Sequence, residues 1–68
     1  MDFTGADLSG ADLAGADLSD ADLRMVQLRA AQWSAIANIK GANIYGIKDA
    51  PEGFATWALK NGAVATEQ

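Results

Sequence analysis

Residues 5–23 read GADLSGADLAGADLSDADL, and the fold can be worked out from this stretch. A small residue, an aspartate and a leucine recur in that order every five residues. On an α-helix this spacing turns successive leucines by about 140°, so no apolar stripe forms, and on a flat strand it alternates their faces. The repeat therefore predicts a coil that turns a corner in every pentad, with apolar side chains inside and polar ones outside.

The large apolar residue of each pentad, here called its centre, recurs on both sides of the quoted stretch. A small residue stands two positions earlier and is expected to point inward with it. Glycine follows at many corners, for example Gly5 and Gly41, where backbone angles unfavourable to other residues are expected. An extra residue near Ala35 and Ile36 predicts a bulge, after which Ala37 takes the small position. The predicted core consists of the centres Phe3, Leu8, Leu13, Leu18, Leu23, Leu28, Trp33, Ile39 and Ile44.

These pentads resemble the pentapeptide-repeat family, whose motif is Ala-(Asp/Asn)-Leu-x-x, over residues 1–48. The resemblance implies an all-β solenoid, a right-handed quadrilateral β-helix in which four repeats make one square turn. Successive turns then stack at strand spacing, ~4.8 Å. It also implies interior columns such as Phe3/Leu23/Ile44 and Leu13/Trp33.

Residues 49–64 are predicted to form a C-terminal α-helical cap and a turn, followed by a flexible tail over residues 65–68. Asp49 is expected to be the N-cap, with Pro51 in the first turn and Glu52 completing a capping box. The segment resembles the C-terminal helix of many cyanobacterial pentapeptide-repeat proteins, and solenoids need such caps. A partner-binding helix is the alternative. The predicted cap residues are Phe54, Trp57, Ala58 and Leu59.

Composition excludes several classes of function. The chain has 68 residues, no cysteine and no histidine, so it has neither disulfides nor the commonest general base and metal ligands. A net charge of −4 argues against ordinary nucleic-acid binding, and no apolar run approaches the ~20 residues of a membrane span. We expect a cytoplasmic, non-enzymatic protein with no cofactor, no nucleic-acid partner and no membrane partner.

The aspartates before the centres form the predicted interaction surface. Residues 1–23 hold six aspartates and no base, whereas all five bases follow. The ladder can be a solvated face whose carboxylates bind corner amides. It can also mimic DNA, since the resemblance includes proteins that bind gyrase, or hold a cation between Asp2, Asp20 and Asp22, against competition from Arg24. The surface residues are Asp2, Asp7, Asp12, Asp17 and Asp22.

The favoured function is a non-catalytic structural or protein-interaction module that displays the solenoid surface to an unidentified protein partner. The alternative is a DNA-mimicking regulator that binds a type II topoisomerase (gyrase). No cap is visible at the N-terminal end, where Phe3 and Met1 stand at the mouth of the coil. Either a longer natural solenoid continues there, or a weak homodimer forms through the N-terminal coil and tightens as ionic strength screens its acids.

Overall fold

A computed structural model describes residues 2–67 of the chain. In it the chain passes over itself every 20 or 21 residues and pairs there in parallel, one residue at a time. Residues 2–21 are called coil 1, residues 22–42 coil 2 and residues 43–48 the start of coil 3. The described residues contain isolated bridges and one short helix, with no extended strand. The bridges define face 1 (Asp2, Asp22, Asn43, Val64), face 2 (Asp7, Gln27, Lys48), face 3 (Asp12, Gln32) and face 4 (Asp17, Asn38).

Each corner is a tight turn that begins at a centre. The N–H of Ala11 donates to the carbonyl of Leu8 at 3.0 Å, and the third residue of this turn, Gly10, has φ of 71°. A closed four-residue turn with positive φ at its third residue is of type II, which favours glycine there. The five-residue period thus consists of one turn and one bridging residue.

Three corners of this kind carry other residues: Asp20, Met25 and Ala30 have φ of 58°, 63° and 58°. Two of them lie against a glycine of the next coil. A Cβ on Gly41 would overlap Oδ1 of Asp20, and one on Gly46 would lie 3.1 Å from Sδ of Met25. At these two corners the side chain of coil 2 or of the end of coil 1 therefore leaves room only for a glycine in the next coil.

The extra residue is Ala37, one position later than predicted. Ile36 is buried at the small inward position, whereas Ala37 is exposed, so the assignment of Ala37 to the interior was wrong. The carbonyl of Ala16 accepts N–H bonds from both Ala37 (3.0 Å) and Asn38 (3.4 Å), as expected of a bulge. Burying isoleucine instead of alanine removes more apolar surface from water. The bulge lengthens the step from 20 to 21 residues on the rungs that span it.

Most centres of coil 1 are less buried than those of coil 2, although Leu18 of coil 1 is buried at 6% exposure and Trp33 of coil 2 is only partly buried. Leu23, Leu28 and Ile39 of coil 2 are almost fully buried. Phe3 and Leu8 of coil 1 are only partly buried, as is Leu13, because a coil covers them on one side alone. Met1 and Gln68, which begin the predicted β-helix and end the predicted tail, lie outside the described residues.

Helix α1 spans Phe54–Lys60 and begins five residues after the predicted N-cap. Gly53 precedes it with φ of 88° and gives no side-chain cap, so the prediction that Asp49 caps the helix was wrong. Asp49 itself has φ of 53°, and the first α-helical bond runs from the N–H of Trp57 to the carbonyl of Gly53. Because the backbone has a positive φ at both Asp49 and Gly53, the helix begins only after Gly53.

One side of α1 packs on the coils. Phe54 and Ala58, one turn apart, are buried, and Trp57 is partly buried. Leu59 is 50% exposed, so its assignment to the cap was wrong. At about 100° per residue, Trp57, Phe54 and Ala58 lie within an arc of about 100°, whereas Leu59 lies outside it, about 140° around the axis from Phe54.

The chain then returns to face 1 and adds a third bridge there, between Asn43 and Val64. The N–H of Ile44 donates to the carbonyl of Val64 at 2.8 Å, and the N–H of Val64 to Ala42 at 2.7 Å. Thr66 is tied to Asn43 by its N–H (3.1 Å to Oδ1) and its carbonyl (2.9 Å from Nδ2). The predicted flexible tail therefore does not describe Thr66.

Two leucine-to-alanine changes separate interior from surface. Leu23 is 1% exposed and Leu59 is 50% exposed. We expect Leu23→Ala to lower the free energy of unfolding by about 2–5 kcal/mol, because it opens a cavity. Leu59→Ala should stay within about 0.5 kcal/mol. Urea unfolding followed by circular dichroism measures both, and equal losses would contradict the assigned interior.

Two glycine-to-alanine changes test the stacking of corners. Gly10 and Gly41 share a positive φ, but a Cβ on Gly10 meets no atom within 4 Å. Both substitutions should lose about 1–2 kcal/mol to backbone strain, and Gly41→Ala should lose more because of Asp20. Adding Asp20→Gly should return Gly41→Ala to the level of Gly10→Ala. A double-mutant cycle by urea unfolding gives the coupling, and zero coupling would exclude the contact.

Candidate interaction surface

The predicted aspartates close the turns of their own pentads. In each, Oδ1 accepts the backbone N–H of the residue two positions on, an N–H that points away from the neighbouring rungs. Asparagine does the same in later coils, since Oδ1 of Asn38 and of Asn43 accepts the N–H of Lys40 and of Tyr45, each at 3.0 Å. The aspartate bonds measure 3.0 Å (Asp2 to Thr4), 2.9 Å (Asp7 to Ser9), 3.0 Å (Asp12 to Ala14), 3.1 Å (Asp17 to Ser19) and 3.2 Å (Asp22 to Arg24).

These hydrogen bonds favour the charged carboxylates. The pKa of Asp7 and of Asp17 lies below its usual value, first because of the side chain and then the backbone of Ser9 and of Ser19. The pKa of Asp2 is lowered in the same way by Thr4. The lowered pKa values favour the ionised form of Asp2, Asp7 and Asp17, which places negative charge along the open edge of coil 1.

Asp22 differs from the other four because it is paired. Arg24 donates Nε to Oδ1 and Nη2 to Oδ2, both at 2.8 Å, a two-pronged ion pair. The Arg24 side chain is the main cause that lowers the pKa of Asp22 to about 2. Asp22 thus contributes little free charge to the surface.

A concave corner lies beside this ion pair, here called the corner groove. It encloses about 380 Å³ and is lined by Thr4, Arg24, Met25, Tyr45 and Glu67. Met25 is 47% exposed and Tyr45 37% exposed, so two large apolar side chains meet solvent on consecutive coils. The pentad pattern predicts outward-facing polar residues at both positions. The sequence feature that could have indicated this groove is the presence of large, mainly apolar side chains at the two variable positions of a pentad.

Three aromatic rings join α1 to coil 2. The ring of Trp33 lies 5.6 Å from that of Phe54, edge to face, and 5.3 Å from that of Trp57, while Phe54 and Trp57 are 6.2 Å apart. Such distances are those of favourable aromatic pairs. Because these rings contact one another and the coil, they hold the helix in place.

The carboxylates of Asp2, Asp20 and Asp22 do not form a cation site. Within residues 2–67 no three acidic, histidine or cysteine side chains lie close enough to hold a metal ion. No helix among these residues has the length and apolarity to cross a membrane.

Acid should destabilise the fold in part through Asp22. Its folded pKa of about 2 lies below the ordinary 3.8, so its stabilising effect is complete above pH 3.8 and is lost as the pH falls through about 2. We expect the urea midpoint to fall between about pH 4 and pH 2, and to fall less in Asp22→Asn, which keeps the turn bond. Arg24→Gln should likewise reduce the fall of the urea midpoint over this pH range. An unchanged acid limb in both variants would contradict the role of this ion pair.

Comparison with known protein families agrees with the repeat. Residues 2–31 match the family model described as "Pentapeptide repeats (8 copies)". No curated protein and no solved structure shows significant similarity to the chain. Proteins of this family are generally non-catalytic structural or interaction modules. Residues 2–31 are thus a pentapeptide-repeat segment.

Proposed function

We propose that this chain is a non-catalytic protein-interaction module, built as a right-handed quadrilateral β-helix with α1 as its C-terminal cap. The family match over residues 2–31 supports the repeat, and the same pairing step continues to Lys48. Four bridged faces support the square cross-section. The aromatic contacts of Trp33 with α1 support the cap.

The corner groove is the observation that carries the interaction role. Met25 holds a positive φ that costs a non-glycine residue about 1–2 kcal/mol, although Gly5 and Gly46 occupy the same corner of the adjacent coils. Strained residues recur at functional sites. An exposed methionine next to an exposed tyrosine, flanked by Arg24 and Glu67, has the composition of a small protein-binding hot spot with a polar rim.

DNA mimicry is less well supported. A DNA mimic needs acidic side chains that continue from coil to coil along a face. In coil 2, however, the bridged residue is Gln27 on face 2, Gln32 on face 3 and Asn38 on face 4. On face 1 the second rung is Asp22, which Arg24 neutralises. We therefore propose a protein partner that inserts an apolar side chain into the corner groove.

Replacing the two apolar residues of the groove tests this function. We expect Met25→Gly with Tyr45→Ser to bind a protein partner at least tenfold more weakly than the unchanged chain. Leu59→Ser, which removes another exposed apolar side chain, should bind normally. Partners are enriched from an extract of the source organism, quantified by mass spectrometry, and then titrated as purified proteins by calorimetry.

Thermal unfolding separates binding from folding in the same variants. Glycine suits the φ of 63° at position 25, so Met25→Gly should be at least as stable as the unchanged chain. Partners bound equally by all three proteins would exclude the groove as the binding site.

A further inference from the structure

The edge of coil 1 that faces away from coil 2 exposes backbone hydrogen-bonding groups. Within the structure, Gln27 turns both of its backbone groups toward coil 1: its N–H donates to Ala6 (3.0 Å) and its carbonyl accepts from Leu8 (2.8 Å). The equivalent groups of Asp7 and its counterparts face the other way. Among residues 2–67, the N–H groups of Asp7, Asp12 and Asp17 have no acceptor. The edge is therefore a row of rungs ready to pair.

A second copy of the chain fits this edge in the reversed direction. A two-fold axis perpendicular to the coil axis places two coil 1 edges face to face and turns every rung antiparallel. In an antiparallel pair, a residue with both backbone groups facing the partner exchanges two hydrogen bonds with the residue opposite. The contact is self-complementary, as a two-fold dimer requires. It would also cover the partly buried Phe3, Leu8 and Leu13.

Charge opposes this pairing. The four aspartates of the edge, here called the rim carboxylates (Asp2, Asp7, Asp12 and Asp17), would face those of the second copy across the rungs. Like charges directly opposite destabilise a pair of strands. Among residues 2–67, two aspartates pair across a rung only on face 1, where Arg24 neutralises Asp22. Asp7, Asp12 and Asp17 pair with residues that carry amide side chains.

We propose that the coil 1 edge is a self-association surface for a second copy of this chain. Repulsion between the rim carboxylates of the two copies prevents this association at low ionic strength. The proposal depends on the stacked coils and not on the corner groove. The molecule measures 26 × 21 × 21 Å, so an end face covers at most about 550 Å² per chain, or about 1,100 Å² for the pair. This is below the usual range of stable interfaces, and the dimer is weak and dependent on concentration. Salt screens exposed charges beyond about 10 Å at 0.1 M.

Four amide substitutions isolate the charge. Asp2→Asn, Asp7→Asn, Asp12→Asn and Asp17→Asn together form the rim variant, which keeps the turn bonds because Asn38 and Asn43 make them in the same position. The control variant neutralises four acids elsewhere, at Asp20, Asp49, Glu52 and Glu67, as amides. Both variants bring the net charge from −4 to 0. Any difference between them therefore depends on where the charge is removed.

Analytical ultracentrifugation at 20 mM and 500 mM NaCl measures the association. We expect the unchanged chain to be monomeric in low salt and to dimerise in high salt. The rim variant should dimerise in both, at least tenfold more tightly than the unchanged chain in low salt. The control variant and Met25→Gly should behave like the unchanged chain, because both keep the rim carboxylates. The control variant should respond somewhat less to salt, because it has no net charge.

Hydrogen exchange locates the contact. Backbone amides at positions 7, 12 and 17 should become protected when the rim variant dimerises. A rim variant that stays monomeric at both salt concentrations would overturn the proposal. So would a control variant that dimerises equally tightly, or a dimer in which these three amides exchange as fast as in the monomer.

Discussion

Each face of the molecule is held by backbone rungs one residue wide, and the rest of the structure depends on their register. A rung such as Asp7 to Gln27 pairs only if the partners are 20 positions apart in sequence, or 21 where the bulge intervenes. The isolated pair is weak, because it fixes many backbone angles for two hydrogen bonds. Stacking multiplies the pairs and buries the centres between them. A slip of one residue would carry Leu23 outward and Asp22 inward, so packing enforces the register.

The interior could be predicted from the sequence because it repeats. Leu23 and Leu28 lie in the core for the same local reason, and corner glycines such as Gly10 mark the turns. The bulge was misplaced by one residue because Ala37 satisfies the repeat as well as Ile36 does. The choice between them depends on which side chain fills the interior better, and that is a property of the assembled coil.

The C-terminal segment shows where local signals fail. Asp49, Pro51 and Glu52 form a good helix start by local rules, yet the chain turns twice before α1 begins at Phe54. Contacts of Phe54 and Trp57 with Trp33 fix the position of the helix, and Trp33 is distant in sequence. The corner groove was missed for a similar reason, since Met25 and Tyr45 become neighbours only when coils stack.

The aspartate ladder both closes turns and carries charge, and in the later coils turn closure occurs mostly without charge. Every aspartate of the ladder closes a turn through Oδ1, and asparagine does so equally well at positions 38 and 43. Turn closure therefore does not require charge. In coils 2 and 3 the ladder positions are mainly amides, which stack without repulsion, whereas in coil 1 all four carry charge.

Whether a ladder position carries a charge or an amide correlates with the number of coils that flank it. A rung with coils on both sides gains from a neutral side chain, because like charges at strand spacing repel across the ladder. A rung at an open edge has a neighbour on one side only, so its charge costs little within the molecule while opposing any similar edge that approaches. At the opposite end, the rings of Phe54 and Trp57 cover the core instead. Under the two proposals made above, each end of the stacked coils is protected, by the packing of α1 at one end and by charge at the other. Only the charged end can respond to ionic strength.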